Sequence, residues 1–249
     1  MIVAMPSTSY ERIADRYEHE RGGQSRAKVI ADALLPWLNP GQPVVDVGVG
    51  TGIIARALVD CGIPVIGVDL SMGMLSKALN RLPGAVMLAD AQELPIAGDS
   101  LSAAIFVWSL QHIGEPVTAL QETQRVLRSD GNVIVVSATP DNIPDDVQAR
   151  FRKLDVLSPP RAADWIRQAA LSAGLRLTST AHIQIDVARS PLELVQQIED
   201  RLYSTLWDLD ADRWNGVVVP VMDSLRNLDD PHRRRPSTLR SPVYVFDSS

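Results

Sequence analysis

Hydrophobic positions fall into two rhythms along this chain. Five short runs, Val44–Val47, Val65–Val68, Ala85–Leu88, Ala103–Val107 and Asn132–Ser137, are rich in Val, Ile and Ala and barely alternate with polar residues. Strands buried on both faces look like this, as in a parallel sheet covered by helices. Stretches with helical spacing separate them, the first being IIARALVDCG directly after residue 52. Strand–helix alternation at this period predicts a doubly wound α/β domain. Ahead of it, YERIADRYEHER (Tyr10–Arg21) predicts a polar amphipathic helix with its tyrosines seven apart on one face. Ala27–Leu38 predicts a second helix with Val29, Ile30, Leu34 and Leu35 apolar, and NPGQP then marks a turn.

The rhythm changes after residue 140. Residues 141–160 read as irregular, around Pro140, Pro144, Pro159 and Pro160. Ala162–Ala173 predicts a helix stopped by Gly174. Arg176–Val187 reads as a strand. Pro191 to about Leu228 reads as largely helical, with Leu192, Val195, Ile198, Leu202, Leu206 and Leu209 at steps of three and four. Ser241–Phe246 is a final strand. The organisation expected is N-terminal helices or a lid over 1–40, an α/β core over 41–187, a helical insertion capping the substrate side over 188–240, and a last core strand over 241–249.

Composition narrows the class. With 249 residues the chain can bury a sizeable core, and 45% hydrophobic with 22% charged residues is ordinary for a soluble globular protein. The longest apolar run, GVVVPVM at 216–222, is far short of a membrane span and contains Pro220. The start, MIVAMPSTS, lacks a basic stretch and a long apolar core, so no signal peptide is expected, and Met5 serves as well as Met1 for initiation. A cytoplasmic protein, monomeric or homodimeric, is the expectation. Cys61 is the lone cysteine, so no internal disulfide and no multi-cysteine metal site is expected, nor any other metal. A net charge of −6 argues against a nucleic-acid partner, which needs clustered Lys and Arg. The one basic cluster, HRRRPSTLR at 232–240, reads as a solvated loop, with an anion or partner contact as the alternative.

The chemistry gathers at strand ends. Residues 44–52, VVDVGVGTG, are a buried strand, a Gly-rich turn and a helix start. Such turns bring backbone close to a nucleotide-like ligand. A dinucleotide fingerprint of the form G-x-G-x-x-G would place its third glycine at 53, where this chain has Ile53. Instead Gly48, Gly50 and Gly52 alternate, and Asp46 precedes them, able to order the turn or receive a ligand ammonium. Asp69 closes VIGVDLS, where a carboxylate can accept from two vicinal ribose hydroxyls. Asp90, in MLADAQELP, is placed to accept from an exocyclic adenine amine, with the Ala91 N–H facing the ring. The fourth feature is FVWSLQHI, a strand that ends in a segment with a histidine. Each acid taken alone can equally be a helix N-cap. Four such features in order on one sheet edge point to a nucleotide-containing ligand, because that edge is where open α/β sheets bind.

VVDVGVGTG, VIGVDLSMGML, LADAQELPIAGDSLSAAIFVWSLQHI and QRVLRSDGNVIV resemble the consecutive motifs of the class I S-adenosylmethionine (SAM) dependent methyltransferases, of the ubiquinone/menaquinone-biosynthesis small-molecule type. The resemblance spans about residues 10–187, and the strand at 241–246 would complete the family's seven-stranded sheet. It implies a Rossmann-like, mainly parallel sheet with an antiparallel last strand and a helical cap. It also implies SAM as cofactor, S-adenosylhomocysteine as product and a small-molecule acceptor. The cofactor residues it implies are Asp46, Gly48, Gly50 and Gly52 at the methionine end, Asp69 and Leu70 at the ribose, Asp90 and Ala91 at adenine, and Val107. Tyr10, Tyr17 and Arg21 correspond to the N-terminal helix that closes over the cofactor in that family. Departures are Ser102 in place of Asp, Arg128–Gly131 in place of Lys-Pro-Gly-Gly, and Gln111 in place of the first of two histidines.

SAM's methyl is activated by its sulfonium, so the protein's task is positioning and exclusion of water. His112 is the candidate base for an acceptor that must lose a proton, with a capping or wall role as the alternative. Tyr203, Trp207 and Trp214 lie in the helical insertion, where they serve either its core or a lid over an apolar substrate. Two other classes fit the same motifs, a SAM-fold protein without methyl transfer, such as a cyclase or cofactor-binding scaffold, and a protein methyltransferase. FVWSLQ stands where acceptors of the amide or exocyclic-amine type require Asn/Asp-Pro-Pro-Tyr/Phe, which counts against those acceptors.

Overall fold

The computed structural model describes residues 23–137, 146–157 and 164–248. Tyr10, Tyr17 and Arg21 lie outside the described residues. The chain divides into two compact units, the first comprising residues 1–140, 163–183 and 240–249 and the second 141–162 and 184–239.

The first unit is built on a seven-stranded sheet of order β3-β2-β1-β4-β5-β7-β6. Its strands are β1 (Val44–Val47), β2 (Val65–Asp69), β3 (Val86–Leu88), β4 (Leu101–Val107), β5 (Leu127–Val136), β6 (Leu175–Arg189) and β7 (Arg235–Ser248). β1 pairs in parallel with both β2 and β4, through Val45↔Ile66 and Val45↔Ala104 among others. β2–β3 and β4–β5 are also parallel, whereas β5–β7 is antiparallel. β1 and β4 are buried along their whole length, which is why their sequence shows an unbroken apolar run. The strand order reverses between β1 and β4, and in an open α/β sheet the carboxyl ends at that switch point form the ligand crevice.

Helix α1 (Gly23–Leu34) starts four residues earlier than its apolar pattern indicates and ends in a 3-10 turn, Leu35–Trp37. Pro36 sets that limit, since it cannot donate to the helix ladder. α2 (Ile53–Asp60) and α3 (Met72–Arg81) follow β1 and β2. Ser71 caps α3 by accepting from the Met74 N–H at 3.2 Å. α4 (Pro116–Val126) and, later, α6 (Trp165–Ser172) pack their buried faces into the core around Phe106, Leu120, Val135 and Phe246.

The second unit has its own apolar core of Val147, Leu154, Leu194, Val195, Ile198, Leu206, Val218, Val221, Met222 and Leu225. Two sequence expectations fail in this unit. The stretch read as irregular forms α5 (Asp146–Phe151) and a 3-10 helix (Arg152–Leu157), because Val147 and Leu154 are buried in that core and Phe151 packs against it. The basic cluster read as a solvated loop instead enters β7 at Arg235. Arg235 bonds Asp146 at 2.8 Å, and Arg234 donates to the Ala188 carbonyl at 2.6 Å and pairs with Glu193 at 3.2 Å. The long helical stretch is real but broken. α7 (Pro191–Glu199) begins in a full capping box, Ser190 with Glu193. A 3-10 turn (Ser204–Leu206), α8 (Ala211–Arg213), a π-helical turn (Trp214–Val218) and α9 (Val219–Arg226) follow. Pro220 removes one donor inside this run, and the wide π turn directly precedes it. Among the described residues no helix is long and apolar enough to cross a membrane.

Candidate functional site

An open cleft lies at the carboxyl ends of β1 and β4. Its walls include Asp46, Gly48, Gly50, Thr51 and Val107, together with Arg26 and Ile30 of α1 and Trp108. The Gly-rich turn is therefore a wall of the cleft and not only a connection between β1 and α2.

Each glycine of the turn has a physical reason. Gly48 has φ +77°, and a Cβ there would come within 2.4 Å of the Ser109 Cβ. No side chain can occupy that position without moving the segment after β4. Gly52, at φ +76°, ends the turn with its α-carbon against α3, where a Cβ would stand 3.1 Å from Ala78. Gly50 contributes through its backbone, donating its N–H to Asp69 at 2.8 Å. Asp69 also accepts from the Ser71 N–H at 2.9 Å, so one carboxylate at the end of β2 ties the turn to the start of α3. Each of its oxygens keeps a second lone pair for a ligand hydroxyl.

Asp46 is 3% exposed, and burial raises its pKa from 3.8 to about 7, with the nearby Asp69 charge adding to the rise. No hydrogen bond from a described residue offsets that burial. A buried carboxylate on a cleft wall, itself with no described donor, suits a cationic ligand group, which would restore its charged form. Asp69 is also raised by burial, but the N–H groups of Ser71, Gly50 and Leu70 pull it back.

Asp90 follows β3 and accepts from the Gln92 backbone N–H at 2.9 Å, a local turn that orients its carboxylate. Ala91 beside it is buried and Leu70 is 55% exposed at the end of β2. Asp69 and Asp90 thus stand at neighbouring strand ends, β2 beside β3. His112 closes the 3-10 turn Leu110–His112 after β4. Its Nε2 is 3.1 Å from the Gln111 side-chain nitrogen, which also donates to the Trp108 carbonyl at 2.5 Å.

Tyr203, Trp207 and Trp214 are engaged within the second unit. The Tyr203 hydroxyl donates to Gln197 at 2.6 Å and its ring tilts against Phe151. Trp207 donates to the Arg201 carbonyl at 2.7 Å, and the Arg201 guanidinium stacks 4.3 Å over Trp214. Arg26 and Trp108 are among the wall residues that a reading of the sequence misses. Trp108 follows the last strand residue, and Arg26 lies in the first turn of α1, upstream of where the apolar pattern begins. Their only signal is proximity in sequence to Val107 and Ile30, which is weak without the fold.

Residues 45–135 match the family described as a methyltransferase domain. The chain is 36% identical over 116 residues to the demethylmenaquinone methyltransferase of Renibacterium salmoninarum, covering 45% of this chain and 48% of that protein. The chain therefore spans about half the length of the curated relatives it matches. Among solved structures it resembles the [4+2]-cyclase SpnF, at TM-score 0.62 and 17% identity, covering 97% of this chain and 94% of that one. It also resembles the Haemonchus contortus phosphoethanolamine N-methyltransferase 2, solved with phosphomonomethylethanolamine and S-adenosylhomocysteine, at TM-score 0.54 and 21% identity, covering 91% of this chain and 53% of that one. These two likenesses concern the fold.

Proposed function

We propose that this chain, whose residues 45–135 match the family described as a methyltransferase domain, binds SAM in the β1/β4 cleft and passes its methyl group to a small-molecule acceptor. The observation that carries the reading is the Gly48–Gly52 turn tied to Asp69, opening on a cleft that Asp46 lines. The residues fit such a ligand. A Cβ-free turn allows close backbone approach, Asp46 suits an ammonium, and Asp69 and Asp90 suit ribose hydroxyls and an adenine amine.

When bound, SAM supplies an activated methyl on a sulfonium sulfur for in-line displacement by the acceptor. The chain's own part is placement. Asp46 and Asp69 would hold the ammonium and the ribose of one ligand, and the apolar side chains of Ile30, Ile53, Ile54 and Val107 would exclude water along the wall. His112, in the turn that follows β4, is our candidate to receive a proton from a hydroxyl or ammonium acceptor. Tyr203, Trp207 and Trp214 are kept as candidates for contact with the acceptor. The name of the Renibacterium relative makes a reduced quinone ring the first acceptor to try.

Incubation with methyl-labelled SAM and a panel of hydroquinones, phenols and amines tests the proposal. Label in an extractable product with an equal amount of S-adenosylhomocysteine supports it. Bound SAM that no acceptor converts to S-adenosylhomocysteine would move the chain to the second class, a SAM-fold cyclase or scaffold, a class to which the fold likeness to SpnF lends weight.

A further inference from the structure

Arginines crowd the second unit where β6 ends and β7 begins. Arg234 pairs with Glu193 at 3.2 Å and Arg235 with Asp146 at 2.8 Å, one carboxylate to each. Arg189, the last residue of β6, is partly buried and has no hydrogen-bond or ion-pair partner among the described residues. It shares a small recess with Arg235 and Ser237 of β7 and Gln148 of α5, and Val187 and Leu194 are apolar walls of the same recess. A guanidinium cannot shed its charge at any ordinary pH, so two of them lining one opening repel each other until an anion joins them. Asp146 and the Asp229 carbonyl accept from only two of the five N–H donors of Arg235. Its other three, all five of Arg189 and the Ser237 hydroxyl meet no acceptor among the described residues. A carboxylate offers two oxygens in one plane, which a single guanidinium already matches. A phosphoryl group offers three oxygens in different directions, and here donors come from three side chains on two strands.

We infer that this recess is an anion site for the phosphoryl group of a small molecule, with Arg189 as the receiving guanidinium and Arg235 and Ser237 as further donors. None of its lining residues belongs to the β1/β4 cleft, and the assignment stands whether or not that cleft holds SAM. Inorganic phosphate and an organic phosphomonoester share the chemistry. Only the ester has a carbon part to set against Val187 and Leu194.

Inorganic phosphate, phenyl phosphate and benzoate are titrated by calorimetry into the intact chain, as wild type and as Arg189→Gln, with circular dichroism to verify folding. The buffer is free of phosphate, at pH 8 and constant ionic strength, so that screening is equal in every run and the phosphoryl groups are close to dianionic. Arg189 has no described partner to lose, so the substitution should spare the fold. The wild type should bind phenyl phosphate at least about tenfold more tightly than benzoate, the scale of one further charge-assisted hydrogen bond. Arg189→Gln should weaken both phosphates by roughly ten- to a hundredfold. Phenyl phosphate bound ahead of inorganic phosphate assigns the site to an organic ester, and equal affinities assign it to the free ion. Phosphate binding that Arg189→Gln leaves unchanged would overturn the site. Phenyl phosphate and benzoate bound alike would overturn the phosphoryl assignment in favour of unselective charge attraction. If Arg189→Gln fails to fold, the wild type alone decides, because no saturable binding of either phosphate into the millimolar range, or equal affinity for phenyl phosphate and benzoate, overturns the inference.

Discussion

Asp46→Asn should stabilise the ligand-free protein while weakening its ligand. Asp46 is buried without a described hydrogen-bond donor, and its pKa stands at about 7 against an ordinary 3.8. At about 1.36 kcal/mol per pKa unit, keeping it ionised above neutrality costs the fold about 4 kcal/mol, an upper bound for what the substitution can return. The sign follows from proton binding. Between about pH 4 and 7 the folded protein holds a proton on Asp46 that the unfolded chain has released, so stability falls as pH rises through that window and then levels off. Asparagine is nearly isosteric and has no charge to lose. Thermal melts at pH 8 should place Asp46→Asn above the wild type by as much as roughly 8–16 °C, and melts near pH 4 should bring the two together. Calorimetry with S-adenosylhomocysteine should show the reverse order. Wild-type affinity should climb with pH up to about 7 as Asp46 becomes available to the ammonium, and the variant should bind weakly at every pH. A variant no more stable than the wild type at pH 8, with unchanged affinity, would refute both the burial argument and the ammonium assignment.

The other predictions are local. Asp69→Ala removes the acceptor of the Gly50 and Ser71 N–H groups as well as the ribose site, so SAM affinity should fall by more than tenfold in a binding titration. Gly48→Ala should destabilise by roughly 1–3 kcal/mol in urea unfolding, because it combines a left-handed φ with the clash at Ser109, and adding Ser109→Gly should recover part of that loss. His112→Asn should lower kcat for a hydroxyl acceptor by about 10²-fold or more and flatten the acidic limb of its pH profile, with SAM binding unchanged. Trp207→Ala removes a partly buried indole that bonds the Arg201 carbonyl, and should cost roughly 1–3 kcal/mol in unfolding of the second unit.

The first unit is the more legible in sequence, and the reason is physical. β1 and β4 are buried on both faces, so their residues must be apolar almost without interruption, and that run stands out in the amino-acid string itself. Gly48 and Asp69 stand out because a left-handed φ against Ser109, and a carboxylate gathering two backbone N–H groups, each demand one residue type. Arg26 and Trp108 do not. A helix start shifts by a turn without disturbing the apolar stripe at Ile30 and Leu34, and nothing local to Trp108 announces a positive φ. The stretch at 146–157 reads as irregular because prolines flank it, whereas burial of only Val147 and Leu154, with Phe151 packed alongside, fixes its helices. The arginines at 234 and 235 read as solvated because their partners, Glu193 and Asp146, are remote in sequence.

The central claim is that the β1/β4 cleft is a SAM site, and calorimetric titration of the intact chain with S-adenosylhomocysteine tests it most directly. The account predicts saturable one-to-one binding that Asp69→Ala weakens by more than tenfold. Folded protein that releases no binding heat up to millimolar ligand, and whose melting temperature the ligand leaves unmoved, would contradict it.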